Sequence, residues 1–391
     1  MKRLLFIGAG WEQKELILQA KSLGFKIFAT HPFIDKSVMS LCDRYFIRDS
    51  TDIDSHLKLA QTFKVNGVIT DNCDYSLYTS TFISKKLGLP SVGLNSAICA
   101  IQKSEQRKRC NNSLHVNQPE FFTFNTLDAF KAITSKFTYP YIIKPNDSRG
   151  TFGVSIVRNE KEVINAFFYA ISNSPSKTGI VENFIEGTLF TVDGFCFDDG
   201  HKPLAVASRK YTSGSFPITK EIIYPAKATD TIIKKLKKAH HSVVKSLGYK
   251  KGHSHGEYIV DSNEKVYLVE CTNRGGGVFT SSTIVPKVSG INLNDALIKQ
   301  FTGEEVHGCE SQNNSVILTF LDFKIGKTIK SIRVPNLTYV LKFRSIYAKN
   351  DMVESIENCA SRHMMVVLEG GLKELKEFKE KLQIDYYNDK N

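Results

Sequence analysis

The sequence predicts a protein of mixed α/β and α+β class, with a doubly wound parallel sheet first, a hairpin-rich region next and a small unit last. Three observations carry this. Apolar strand-like runs alternate with helical patterns over about the first hundred residues, and from about residue 137 that alternation gives way to hairpins. At 391 residues the chain is also longer than one hydrophobic core usually grows.

The first element, Leu4-Leu5-Phe6-Ile7-Gly8, is an apolar run preceded by two cations; it is too short for a signal-peptide core and suits a first strand. A helical pattern, Leu16, Ile17, Ala20 and Leu23, ends at Gly24, and Lys26 to Ala29 gives a second strand. The scheme repeats with a helix over Asp54 to Phe63, a strand over Gly67 to Thr70 and a helix over Tyr75 to Leu87 closed by Gly88. Gly8-Ala9-Gly10 stands where such folds receive ligands, but Gln13 replaces the third glycine of a dinucleotide fingerprint. A tight strand-to-helix turn is the preferred reading. Further on, strands Tyr141 to Lys144 and Val154 to Val157 flank a polar loop, Pro145 to Gly153. A Walker loop would open a helix and carry GK[ST], so this strand, loop, strand layout is neither that nor a Rossmann turn. A mostly β region follows, with one helix over Ile232 to Leu247 and a hairpin from Glu257 to Glu270. From about residue 306 come short strands and a terminal helix, Leu372 to Leu382, rich in Lys and Glu.

Composition narrows the classes. The hydrophobic fraction of 41% and charged fraction of 24% are ordinary for a soluble globular protein, and no apolar run is long enough to span a bilayer. The eight cysteines form no CxxC pair and no cluster with histidine, so they read as reduced thiols of a cytoplasmic protein without bridge or metal. A net charge of +12 would suit a nucleic-acid binder, but Lys234, Lys235, Lys237 and Lys238 alternate with apolar residues at helical spacing, as a solvated helix face does. No nucleic acid and no membrane partner is expected. The surplus charge also suits an enzyme that handles nucleotide and a second anion.

The segment Glu257-Tyr258-Ile259-Val260-Asp261-Ser262-Asn263-Glu264-Lys265-Val266-Tyr267-Leu268-Val269-Glu270 carries the chemistry. A two-residue turn at Asn263-Glu264 makes Ser262 face Lys265, and counting outward sets Glu257 opposite Glu270 on one face. Like charges opposed in a sheet repel, and among apolar neighbours they either bind a cation or share a proton. Oxygen-only ligands of this kind suit Mg²⁺. The alternative is a bulged hairpin with one glutamate exposed. Immediately downstream, Cys271-Thr272-Asn273-Arg274-Gly275-Gly276-Gly277 combines an arginine fork with three glycines whose amides can approach an anion. By itself such a triplet is a flexible loop; beside facing carboxylates it is a candidate reaction centre.

In this order the pieces resemble the ATP-grasp superfamily over essentially the whole chain. The resemblance implies a Rossmann-like N-terminal domain (1–99), a two-lobed ATP-binding unit (100–305, with a lid over about 137–186) and a C-terminal subdomain (306–391). Lys144-Pro145-Asn146-Asp147-Ser148-Arg149-Gly150-Thr151-Phe152-Gly153-Val154 looks like the lid loop, which implies nucleotide contacts from Lys144, Ser148, Gly150 and Gly153. Lys103, opening a helix ahead of Arg107, resembles the family's earlier nucleotide-binding lysine. Ile180 to Gly187 looks like the hinge that receives adenine through Asn183, Phe184 and Ile185, with the Glu182 carboxylate near the amino group. Glu257 and Glu270 then hold one or two Mg²⁺ ions, with Mn²⁺ admitted, and Arg274 steadies the transferring group. His255, Gly276 and Gly277 are substrate candidates.

Two departures stand out. Thr272 replaces the asparagine found in many members two residues after the second metal glutamate, and Leu189 stands where an acid often holds the ribose. The loop and Arg274-Gly275-Gly276-Gly277 look closest to carboxylate-amine ligases, including amino-acid ligases and the carbamoyl phosphate synthetase ATP domain. That implies a small-molecule carboxylate and amine joined through an acyl phosphate, and a possible homodimer. A carboxylase or acyltransferase subunit of the biotin type is the alternative, although no Met-Lys-Met acceptor occurs in the chain. A non-catalytic nucleotide-binding regulator is the other.

Overall fold

The computed structural model describes residues 1–148, 150–211 and 218–387. Its N-terminal sheet is parallel, with strands β1 (Arg3–Ile7), β2 (Lys26–His31), β3 (Arg44–Ile47) and β4 (Gly67–Ile69) in the order β3-β2-β1-β4. Leu4 to Ile7 are all buried because helices cover both faces, which explains the unbroken apolar run. Those helices are α1 (Lys14–Ser22), α2 (Lys36–Met39), α3 (Ile53–Thr62) and α4 (Asp74–Lys86). After β1, the Gly8 and Ala9 amides both donate to Thr30 O, and Gly8 takes φ +83°, open to glycine at little cost. Gln13 accepts the Gly10 amide at 2.9 Å and donates to Asp71 O at 2.8 Å. With that amide spent, the segment is the tight turn that the sequence favours.

Two short helices, α5 (Leu94–Ile101) and α6 (Lys103–Arg109), lead into a small antiparallel sheet with its own core. Its strands β5 (Phe121–Phe124), β6 (Tyr141–Pro145), β7 (Ser155–Val157) and β8 (Gly179–Asn183) run in the order β5-β8-β6-β7. The sheet therefore begins well before residue 137, because Phe121 to Phe124 pair with the hinge strand β8. Arg149, in the loop between β6 and β7, lies outside the described residues.

The largest sheet has eight strands in the order β13-β12-β9-β10-β11-β14-β17-β16. These are β9 (Thr188–Phe197), β10 (Gly200–Tyr211), β11 (Thr219–Tyr224), β12 (Gly252–Val260), β13 (Val266–Thr272), β14 (Val316–Leu321), β16 (Val340–Ser345) and β17 (Met364–Glu369). The pair β15 (Ile329–Arg333) and β18 (Gln383–Tyr386) forms a separate ribbon. Because β11 pairs with β14, strands on both sides of residue 306 share one sheet. The helix Asp230–Leu247 buries Ile232, Leu236, Ala239, Val243 and Leu247, and leaves Lys234 and Lys238 exposed, as an amphipathic helix should. Among the described residues no helix is long and apolar enough to cross a membrane.

Candidate functional site

The hairpin β12–β13 brings Glu257 directly opposite Glu270, although its turn is not the expected one. Val260 pairs with Val266, so the loop is one residue longer than a two-residue turn. Asp261 closes it by accepting from the amides of Asn263 and Lys265, and Glu264 adopts φ +57°. A bulge then shifts the register between Glu257 and Tyr258, leaving Val269 as the extra residue and returning the two glutamates to a shared face. Both side chains remain reachable, at 20% and 31% exposure.

Each glutamate holds a cation. Arg209, from β10, places Nη2 2.7 Å from Glu257 Oε1, while Lys103 places Nζ 3.2 Å from Glu270 Oε2. The Lys103 position follows from local structure: the loop residue Asn146 accepts from the Lys103 and Ser104 amides at 2.9 and 2.8 Å, capping the otherwise bare start of α6. Lys103 Nζ also donates to Ser148 O at 2.9 Å. Burial opposes the Glu270 charge, but Lys103 foremost, with Lys144 and Arg274, outweighs it and the pKa falls below the ordinary carboxylate value.

Beside this pair, Asp74, Lys103, Ser148, Glu270, Thr272 and Arg274 line a narrow cleft. Arg274 makes a two-point contact with Asp74 and donates from Nη1 to Gly275 O at 2.9 Å. Thr272 also donates to Asp74, at 2.8 Å. The neighbouring Asn273 turns away and donates to the Lys251 and His253 carbonyls. The glycine triplet is tied to the turn after β4: Asp71 accepts from the Gly275 amide and from Ser281 Oγ, and Asn72 donates to Gly276 O.

Residues 137–282 match the ATP-grasp domain family. The whole fold overlays on an L-amino acid ligase from Bacillus licheniformis, with TM-score 0.84, 20% identity and 99% of each chain covered. This chain has the ATP-grasp fold. A formate-dependent phosphoribosylglycinamide formyltransferase of Prochlorococcus marinus is 24% identical over 51% of this chain and 55% of that protein. The chain thus spans about half the length of the curated relatives it matches. A biotin carboxylase domain of the Hydrogenobacter thermophilus 2-oxoglutarate carboxylase, in complex with MgADP, ADP and bicarbonate, overlays with TM-score 0.80 at 14% identity, covering 99% and 91% of the two chains.

Within this ATP-grasp scaffold the expected site residues fall into three groups. Lys103, Ser148, Glu270 and Arg274 share the cleft. Lys144 and Glu182 lie buried behind it: Lys144 Nζ is 2.6 Å from Glu182 Oε2, and Arg107 donates to the same carboxylate at 2.8 and 3.3 Å. Glu182, which the resemblance sets near an adenine amino group, has both carboxylate oxygens held by these two buried cations. The remaining hinge residues Asn183, Phe184 and Ile185 are at least partly exposed, although the Asn183 amide is taken by Glu120 O. An added Cβ at Gly150 (φ +60°) would meet Phe152 Cδ2 at an ordinary 3.8 Å, whereas one at Gly153 would collide with Pro145 Cγ at 2.4 Å. Gly153 is therefore needed to close the loop.

At the far end, His255 Nδ1 sits 2.6 Å from Asp193 Oδ1, and Asp193 Oδ2 accepts from Tyr224 at 2.7 Å. The His255 ring packs on Gly276, where an added Cβ would come within 2.8 Å of it. The Gly276 and Gly277 amides have no partner among the described residues. Sequence reasoning missed Asp71, Asn72, Asp74 and Arg209. The signal for the first three was available: an acidic turn at the carboxyl end of a parallel strand, where open α/β sheets receive ligands.

Proposed function

We propose that the chain is an ATP-dependent ligase that activates a small carboxylate as an acyl phosphate and joins it to an amine. The observation that carries this reading is the opposed pair Glu257 and Glu270, each holding a cation beside a cleft that also contains Lys103 and Arg274. Two opposed, reachable carboxylates are an oxygen donor set that Mg²⁺ or Mn²⁺ fits, with Glu257 and Glu270 as its protein ligands. Such an ion supplies neutralisation of phosphate charge. Lys103 and Lys144 bind the polyphosphate, with Ser148, Gly150 and Gly153 shaping the loop above it, and Asn183, Phe184 and Ile185 receive the base.

The carboxylate oxygen attacks the γ-phosphorus and ADP leaves; the amine then attacks the acyl carbon and phosphate leaves. Arg274, held still by Asp74, is oriented to stabilise charge that develops during transfer, as are the Gly276 and Gly277 amides. His255 contacts the substrate. Closure of the small sheet over the cleft excludes water from the acyl phosphate. Relatives named for formate-dependent formyl transfer and for L-amino acid ligation both handle a small carboxylate, which favours this reading over a regulator.

The test is to trap the acyl phosphate. With ATP, magnesium and a panel of small carboxylates, hydroxylamine should yield a hydroxamate with the wild-type chain and none with Glu270→Gln at equal protein folding. Hydroxamate formation undiminished in that variant would remove Glu270 from the reaction.

A further inference from the structure

The two glutamate-bound cations are held in different ways. Arg209 is locked into the sheet: its Nε donates to Thr191 Oγ1 at 2.8 Å while Nη2 meets Glu257. Lys103 has its backbone fixed at the start of α6, where its amide donates to Asn146 O at 2.9 Å. Its ammonium, on a four-carbon stem, bridges Glu270 Oε2 and the loop carbonyl of Ser148. A point charge with rotatable donors can leave its partner without disturbing the helix that carries it, which a guanidinium pinned by two different partners in a sheet cannot do.

We propose that Lys103 is an exchangeable cation: its ammonium occupies Glu270 until a polyphosphate takes it, so that metal ion and nucleoside triphosphate bind cooperatively through this one side chain. The inference rests on reading Glu270 as a metal ligand. An ammonium 3.2 Å from a carboxylate oxygen and a divalent ion on the same oxygen repel each other, so one must move. Phosphate oxygens offer the ammonium an equal or better partner, and once it turns to them Glu270 is free for the metal. By linkage, whatever the nucleotide does for metal affinity the metal does for nucleotide affinity. The same departure frees Ser148 O, so loop and metal site respond together.

Mn²⁺ is the probe, with free ion counted by electron paramagnetic resonance on the full chain without nucleotide. Lys103→Met should bind Mn²⁺ at least tenfold more tightly than wild type, and Lys103→Met/Glu270→Gln should lose that gain. Lys103→Gln gives the same readout if the methionine variant does not fold. Equal affinity in wild type and Lys103→Met, or a gain that survives Glu270→Gln, overturns the exchange. A separate arm tests the underlying reading: with a saturating non-hydrolysable ATP analogue, Glu270→Gln should weaken Mn²⁺ binding. If it does and Lys103→Met still shows no gain, only the exchange falls. If it does not, Glu270 is no metal ligand and both fall.

Discussion

Arg274 and Asp74 meet through two hydrogen bonds, Nε to Oδ1 at 2.9 Å and Nη2 to Oδ2 at 2.8 Å, across 200 residues of chain. Burial opposes the Asp74 charge, yet Arg274 foremost, with Thr272 and Lys103, holds its carboxyl below the usual range. Asp74→Ala leaves a largely buried guanidinium without its two-point partner. The expected loss is about 3–5 kcal/mol, read as a lower urea midpoint at unchanged slope. A loss under about 1 kcal/mol is what an exposed pair would give, and would contradict the burial described here.

Acid should act on the Arg107, Lys144 and Glu182 cluster. Burial favours the neutral form of Glu182, but Arg107 and Lys144 reverse this and bring its pKa from 4.5 down to about 2. A folded-state pKa below the unfolded one gives stability that is complete above the unfolded value and is lost as pH falls through the folded one. Lys144 works the other way: burial outweighs the pull of Glu182 and lowers its pKa, so the cluster contributes less than Glu182 alone implies. Melting temperature should therefore drop between about pH 4.5 and 2 in wild type. In Glu182→Gln the protein should melt lower at pH 7, with a shallower acid slope.

Lys144→Ala should weaken ATP binding by roughly tenfold or more, since a charge-assisted phosphate contact is worth about 1.5–3 kcal/mol. Calorimetry gives the affinity directly. Because Glu182 keeps its two bonds from Arg107, the variant should stay folded. Unchanged ATP affinity would take Lys144 out of the nucleotide site.

Gly153→Ala should disturb the small sheet far more than Gly150→Ala. Both glycines have positive φ, at +77° and +60°, but only at 153 does an added Cβ meet Pro145 Cγ at 2.4 Å and Asn173 Cβ at 2.9 Å. Overpacking of this kind typically costs about 1–3 kcal/mol beyond the backbone strain. Hydrogen exchange of the Ser155 to Val157 amides should quicken in Gly153→Ala and stay closer to wild type in Gly150→Ala.

The glutamate pairing was legible from sequence for an instructive reason. Side chains in a strand alternate faces, so an odd error in the turn would have set Glu257 against Val269 and turned one carboxylate away. The longer loop closed by Asp261 and the bulge at Val269 are two one-residue departures that cancel. Three of the four strands of the first sheet were likewise readable, because apolar runs and glycine stops are local, whereas the half-exposed edge strand β3 left no such run. Asp74 and Asp71 were not, since their partners Arg274, Gly275 and Ser281 lie about two hundred residues away and no periodicity links them. The partners of Glu182 were illegible for the same reason: Arg107 reaches it across 75 residues, and spacing does not encode that pair.

The pairing of β11 with β14 also governs what would happen if the chain were shortened. Glu221 to Tyr224 hydrogen-bond to Val316 to Thr319 in the middle of the eight-stranded sheet. A product that stopped before Val316 would end in a raw edge, a row of unsatisfied amides and carbonyls flanked by the apolar side chains of Ile222 and Ile223. Such an edge recruits strands from other molecules. The expected fate of the fragment is therefore an insoluble deposit, while the small sheet of β5 to β8, with an interior of its own around Phe130 and Phe167, could still ravel and re-form within it.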